Sequence, residues 1–255
     1  MIGDVDAFDF SGRVVLVTGG ARGIGRVIVD EFASAGAAVV ACGRTEPDEL
    51  SGASFIVCDV RDPEQVDAMI TQIAADHGRL DVAVNNAGGS PSAEAATASP
   101  RFSEAIIRLN LLAPLHVAQA ANRVMQQQED GGSIVNIASV SGIRPSPTTA
   151  AYGAAKAGLL NLTQTLAVEW APKVRVNAVT AGLIRTELAG MHYGDEEGIA
   201  AVGATVPLGR MGDPSDVASA CLYLASPLAA YISGANIVVH GGGERPAYLS
   251  AARPT

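Results

Sequence analysis

Arg13-Val14-Val15-Leu16-Val17-Thr18-Gly19-Gly20-Ala21-Arg22-Gly23-Ile24-Gly25 is the stretch from which the fold is read. Arg13 to Thr18 is a short apolar run bounded by turn residues, the make-up of a strand buried on both faces of a parallel sheet. Glycines follow at once, and a helical pattern then runs to about Ala35. A strand, a glycine-rich turn and a helix start suit a pyrophosphate, because backbone N–H groups and the positive end of the helix dipole face the anion. The glycines fall as Gly19-x-x-x-Gly23-x-Gly25 rather than the tighter G-x-G-x-x-G. Taken alone, such a turn would also serve as a plain tight connection.

The next strand, Ala37 to Cys42, ends in Gly43-Arg44-Thr45. In dinucleotide sites an acidic residue about 20 residues past the glycines holds the adenosine ribose 2′-OH. Here that place is taken by Gly43 and Arg44, and Arg22 stands within the turn. Two guanidiniums and no carboxylate suit a 2′-phosphate, since arginine grips phosphate oxygens with a planar fork. NADP(H) is therefore expected over NAD(H).

Further along, Ser54 to Asp59 reads as a third strand, with Asp59-Val60 placed to border an adenine. Asp62 as cap and Pro63 at the first helical position open a helix to His77. Asp81 to Asn85 is a fourth strand that runs into Asn85-Asn86-Ala87-Gly88-Gly89, small residues that permit close approach of a ligand. Ser90 to Pro100 is an Ala/Ser/Pro loop, and Phe102 to Gln128 is a long helix weakened by Asn110 and Pro114. Ser133 to Ile137 is a fifth strand that delivers Ser139; a helix carrying Tyr152 follows, to about Trp170. Val174 to Val179, a sixth strand, leads into Ala181-Gly182-Leu183-Ile184-Arg185-Thr186. Residues 187–206 mix helix formers with glycine, as a mobile lid would. Pro214 to Ala225 is a last helix, Asn236 to Val239 a seventh strand, and Glu244 to Thr255 a polar tail. Strands alternate with helices and no linker interrupts them. The expectation is α/β: one doubly wound Rossmann-type domain over 1–255, a seven-stranded parallel sheet with helices on both faces.

Tyr152 and Lys156 lie four apart, one above the other on a helix face. Bringing a phenol from a pKa of about 10 to about 7 needs roughly 4 kcal/mol. A positive charge about 4 Å away at an effective dielectric of about 20 supplies on the order of 4 kcal/mol. Such a pair can act as a general acid/base. The chain has only two lysines, Lys156 and Lys173, against fifteen arginines. Lysine can release a proton and arginine cannot, which favours a proton-handling role here.

Composition narrows the function classes. Hydrophobic residues make up 48 % of the 255, charged residues 17 % and aromatics 4 %, a core mainly of small and branched aliphatics. The net charge of −9 argues against nucleic acid and anionic lipid as partners. No apolar run of about 18 residues suggests a membrane helix. Met1 to Phe10 carries acids where a signal peptide needs bases, so a cytoplasmic protein is expected. Cys42, Cys58 and Cys221 are far apart in sequence with no C-x-x-C, as small core residues would be. His77, His116, His192 and His240 show no metal-ligand spacing, and no metal is expected.

Thr18 to Gly25, Asn85 to Gly88, Asn110, Ser139, Tyr152 and Lys156 together resemble the short-chain dehydrogenase/reductase family, over a span from about Arg13 to Gly242. The resemblance implies a Rossmann-type fold with nicotinamide against the Tyr152 helix. It implies Tyr152 as acid for reduction and base for oxidation, and Ser139 as the hydroxyl that binds the substrate carbonyl. Lys156 would bind the nicotinamide ribose and lower the Tyr152 pKa, and Asn110 would hold a water joining Lys156 to solvent. Gly19, Arg22, Gly23, Ile24 and Gly25 would border the phosphates, and Arg44 the 2′-phosphate. Asp59 and Val60 would meet the adenine, and Asn86, with Ala87 and Gly88, the ribose. Gly182, Ile184 and Thr186 would meet the nicotinamide carboxamide. Ser141 ranks below Ser139 by its spacing to Tyr152. The family's usual Pro-Gly after the sixth strand is Ala181-Gly182 here, which loosens that wall. The activity implied is a reversible NADPH-dependent carbonyl reductase on a small molecule, assembled as a homotetramer through the Tyr152 and Asn110 helices and the seventh-strand region. Leu188, Met191, His192 and Tyr193 suggest a partly apolar substrate such as a 3-oxoacyl thioester, a steroid or another hydroxy/keto lipid. An NAD-dependent alcohol dehydrogenase and a non-catalytic nucleotide-binding subunit are the alternatives; the complete Asn110/Ser139/Tyr152/Lys156 set speaks against the latter.

Overall fold

Seven parallel strands in the order β3-β2-β1-β4-β5-β6-β7 form the centre of the computed structural model, which describes residues 7–50 and 52–251 except the side chains of His192 and Ser250. In chain order the elements are β1 (Val14–Thr18), α1 (Gly23–Ser34), β2 (Ala38–Gly43), β3 (Ala53–Val57), α2 (Pro63–His77) and β4 (Val82–Asn85). Then come α3 (Pro100–Ile107), a π-helical turn (Arg108–Leu112), α4 (Ala113–Met125), β5 (Gly132–Ser139), α5 (Ala150–Glu169) and β6 (Val174–Ala181). The chain closes with α6 (Ala189–Tyr193), α7 (Glu196–Thr205), α8 (Pro214–Ala225), β7 (Asn236–Val239) and α9 (Ala247–Ala251). The opening acids within 1–6 and the tail's last residues, 252–255, lie outside the described residues.

Alternation along each strand sorts the aliphatics to two faces. Val14 and Leu16 of β1 and Val40 and Cys42 of β2 pack against Val66, Met69, Ile70 and Ile73 of α2 and the alanines of α4. Val15, Val17, Val39 and Ala41 point the other way, onto Ile28, Val29 and Phe32 of α1 and Val217, Cys221 and Leu224 of α8. A strand buried on both faces needs an unbroken apolar run, which is why these runs were legible. The order reverses between β1 and β4: the chain steps outward through β2 and β3, then returns to the other side. At that switch point the connections leaving β1 and β4 diverge and open a crevice at the carboxyl ends of the strands. At the opposite end Asp81, 5 % exposed, ties β1 to β4. It accepts from the Val14 amide (2.8 Å), Arg13 Nη1 (3.0 Å) and Arg79 Nε (2.8 Å).

Several elements differ from the sequence pattern. β5 and β6 extend to Ser139 and Ala181, because their last residues pair with each other, Ala138 with Thr180 and Ser139 with Ala181. Alanine and serine carry little strand preference, so the pattern stopped short. The long helix is α3 and α4 joined by a π-helical turn at Asn110, whose Nδ2 donates to the Ile106 carbonyl (3.0 Å). Residues 187–206 contain α6 and α7, and α9 lies within the stretch expected as polar tail. Cys42 and Cys58, apart in sequence, are brought close enough by the β2–β3 pairing for each thiol to act on the other. Among the described residues no helix is long and apolar enough to cross a membrane.

Candidate active site

The first wall of the crevice is the β1–α1 turn. Gly19 sits at φ 66° and Gly23 at φ 57°, backbone that glycine adopts without strain. A Cβ at Gly25 would stand 2.2 Å from the Gly19 carbonyl oxygen, so only glycine lets α1 start this close to β1. Arg22, the residue before α1, makes no side-chain cap, and the first turn holds no acid. The N–H groups at the start of α1 thus have no side-chain acceptor, the condition in which a helix end binds an anion.

Thr18, which sequence reading left without a role, holds the second wall to the first. Its Oγ1 accepts from the amides of Asn86 and Ala87, 3.0 Å each. Asn86, expected at a ribose, spends its side-chain amide on the carbonyls of Thr18 (2.9 Å) and Gly19 (3.2 Å). Gly88 passes between two groups: a Cβ there would lie 2.7 Å from Asn110 Oδ1 and 3.3 Å from Lys156 Nζ. Asn110 is fully buried, and its side chain pins the adjacent Gly89, accepting from its N–H (2.9 Å) and donating to its C=O (2.9 Å). The fold thus brings Asn110 and Lys156 together around one glycine.

The third wall carries Ser139 from the end of β5 and Tyr152 and Lys156 from α5. Tyr152 and Ser139 both line the crevice, close enough for the hydroxyl to act on the phenol. Lys156, 3 % exposed, donates from Nζ to the Ile137 carbonyl at 2.7 Å and stands 5.7 Å from the centre of the Tyr152 ring. Burial brings its pKa down to about 8. Burial raises the Tyr152 phenol above its ordinary value, against which the Ser139 hydroxyl pulls downward. The expectation that Lys156 depresses Tyr152 is therefore not met in this arrangement. The i, i+4 spacing places both on one helix face, but the ammonium is drawn to a carbonyl of β5. Ser141 bonds elsewhere, donating to Ser146 Oγ at 3.0 Å.

These walls enclose a crevice of about 930 Å3. Gly19, Arg22, Gly23, Ile24 and Gly25 line one end with Arg44, Asp59 and Val60; Asn86, Ala87 and Gly88 line the middle; Ser139, Tyr152, Lys156, Gly182, Ile184 and Thr186 line the other end. Asn110 supports the crevice from behind without lining it. The sequence reading missed Arg61 and Glu46, which also line it. Arg61 grips Asp59 (Nε to Oδ1, 2.9 Å) and holds its carboxyl below the usual range. Neither Arg22 nor Arg44 makes an ion pair among the described residues, although the Arg44 charge also draws the Asp59 pKa down. The Ala181-Gly182 wall is tied down without a proline, since the Gly182 amide donates to Val239 O at 2.8 Å. A dinucleotide fits this donor set: a glycine cradle and an uncapped helix for its phosphates, two cations beyond, and a phenol, hydroxyl and ammonium at the far end.

The chain is similar to known proteins over most of its length. The family model described as enoyl-(acyl carrier protein) reductase matches residues 19–244. The chain is 36 % identical over 244 residues to a 3alpha-hydroxysteroid dehydrogenase of Mediterraneibacter gnavus, covering 90 % of this chain and 96 % of that one. It is 35 % identical over 242 residues to a 3-oxoacyl-[acyl-carrier-protein] reductase of Vibrio cholerae, covering 92 % and 98 %. Among solved structures, the aldohexose dehydrogenase of Thermoplasma acidophilum superposes with a TM-score of 0.88 at 34 % identity over 97 % of each chain.

Proposed function

The chain belongs to the short-chain dehydrogenase/reductase family of NAD(P)-dependent oxidoreductases, and on that premise we propose that it interconverts a carbonyl and a secondary alcohol with NADP(H) in preference to NAD(H). The observation that carries the reading is the meeting of Ser139, Tyr152 and Lys156 on one wall of the crevice. The nicotinamide, when bound, supplies or accepts the hydride. The rest falls to the chain. Tyr152, with its pKa raised, is protonated at neutral pH and so ready to donate to a substrate oxygen on reduction. Ser139 stabilises the negative charge that grows on that oxygen. Lys156, near 8, exchanges protons at physiological pH and replaces the one Tyr152 gives up. Asn110, packed with Lys156 around Gly88, is assigned the water that links Lys156 to solvent.

Arg22 and Arg44, with no carboxylate on Gly43, support the 2′-phosphate. Glu46 lines the same end of the crevice and favours the runner-up, NAD(H). The deciding experiment is kcat/KM for NADPH against NADH over a panel of ketones. A ratio well above one is expected; a ratio at or below one would overturn the cofactor assignment, and tight cofactor binding with no turnover would favour a non-catalytic subunit. For the substrate, a hydroxy/keto lipid is supported by Leu188 and Tyr193 on the crevice wall and by what the steroid and acyl-carrier relatives act on. Met191, 79 % exposed, adds nothing to that wall. Residues 187–206 then serve as the lid of one domain. A cytoplasmic homotetramer completes the reading; Val168 on α5 and Tyr231 before β7 are 80 % and 104 % exposed, apolar surface that such an assembly would cover.

A further inference from the structure

Arg44, the exposed cation read as the grip on a 2′-phosphate, has a rival for its charge. Asp59 lines the same end of the crevice, and the Arg44 guanidinium is near enough to draw the Asp59 carboxyl down. A carboxylate within reach of a guanidinium competes with phosphate oxygens for the same planar fork, and its charge repels the phosphate as well. Arg44 nevertheless makes no ion pair among the described residues; Asp59 is paired with Arg61 instead.

That pairing takes up both carboxylate oxygens. Arg61 Nε donates to Asp59 Oδ1 (2.9 Å) and Nη2 donates to Oδ2 (2.5 Å). The backbone N–H of Arg61 donates to Oδ1 as well (3.1 Å), so the carboxylate is turned towards its own loop. The loop is in turn fixed to the start of α2. Asp59 N donates to Gln65 Oε1 (2.9 Å), and Asp62 N donates to the Asp59 carbonyl (2.9 Å). Of the groups that lower the Asp59 carboxyl, Arg61 acts most strongly and Arg44 least. The Arg61 and Asp59 side chains are 36 % and 27 % exposed, so the pair stands at the crevice surface and not in the core.

We propose that Arg61 is a positioning residue for the choice of coenzyme: it occupies the Asp59 carboxylate and so leaves the Arg44 guanidinium to the 2′-phosphate. The assignment rests on the oxidoreductase reading with its dinucleotide crevice, and adds to it a residue outside both the glycine turn and the end of β2. NAD+ and NADP+ differ only in the 2′-phosphate. Whatever Asp59 does at the adenine is common to the two and cancels in the ratio of their affinities.

The test is calorimetric titration with NADP+ and with NAD+ at low ionic strength, where exposed charges are least screened. It compares the parent with Arg61→Ala, Asp59→Asn and the double variant. In Arg61→Ala the ratio of NADP+ to NAD+ affinity should fall about five- to tenfold, as the released carboxylate turns to Arg44 and faces the phosphate. Asp59→Asn should leave the ratio at or above the parent's. The double variant should return it to within about twofold of the parent, since no carboxylate is left to be held. Arg61→Met serves if the alanine variant does not fold. Mere loosening of the loop would weaken both dinucleotides alike, and an unchanged ratio in the Arg61 variant overturns the proposal. A ratio that falls and stays low in the double variant overturns it in favour of direct contact between Arg61 and the phosphate. The parent's own ratio is scored separately. A parent that prefers NAD+ sinks only the cofactor assignment, because the proposal is read from the change between variants. A parent that prefers NADP+, with no change in Arg61→Ala, sinks only the proposal.

Discussion

Lys156 is an ammonium held where charge is expensive. It is 3 % exposed, it donates to Ile137 O, and burial sets its pKa near 8 against an ordinary 10.5. Because the folded value lies below the unfolded one, the unfolded chain binds more protons between about pH 8 and 10.5, and this group's contribution to stability rises with pH through that window. Below pH 8 the charged form costs up to about 3 kcal/mol, of which its hydrogen bond returns about 1. Lys156→Met should therefore gain about 1–2 kcal/mol at pH 7 by denaturant titration, with the gain shrinking as pH rises through 8 to 10, while turnover is lost. A variant less stable than the parent at pH 7 would contradict this account of the site. Sequence spacing was enough to single out Tyr152 and Lys156 but not the direction of the Tyr152 shift. That direction depends on a carbonyl of β5 and on how deeply α5 is covered, neither of which an i, i+4 pattern contains.

The β1–α1 unit was legible almost whole, because a buried strand, a glycine turn and a helix start each leave a local signature. The π-helical turn at Asn110 was not. Asn110 and Pro114 announce a weakened helix, but the extra residue in the turn is kept by bonds from Asn110 to Gly89, on a segment remote in sequence. An ion pair between Arg144 and Glu244, a hundred residues apart, was likewise out of reach. At the level of the element, Gly25→Ala is the sharpest probe. Its Cβ would stand 2.2 Å from Gly19 O and 2.4 Å from Asn86 Nδ2. The turn should shift, costing about 1–3 kcal/mol in thermal or denaturant unfolding and weakening NADPH binding in fluorescence titration. Unchanged affinity would mean that the turn does not cradle the phosphates.

Over the whole molecule, the sheet is fastened at one end by charge and left open at the other for chemistry. Burial pushes the Asp81 carboxyl up, but Arg79, the Val14 amide and Arg13 together outweigh it and hold the group below its ordinary value. A depressed carboxylate contributes stability that is present above its unfolded value, about 4, and lost as pH falls through the folded value. Asp81→Asn should cost about 1–2 kcal/mol at pH 7, a figure kept low because Arg13 and Arg79 are 40 % and 35 % exposed, and the difference should vanish in acid. Equal acid sensitivity of the two proteins would remove Asp81 from the explanation. The open end carries the central claim, that the phenol of Tyr152 moves the proton of a hydride transfer. The most direct measurement is ketone-dependent NADPH oxidation by Tyr152→Phe beside NADPH affinity. The account requires kcat to fall by about 100-fold or more with affinity within about twofold of the parent; near-parental kcat would contradict it.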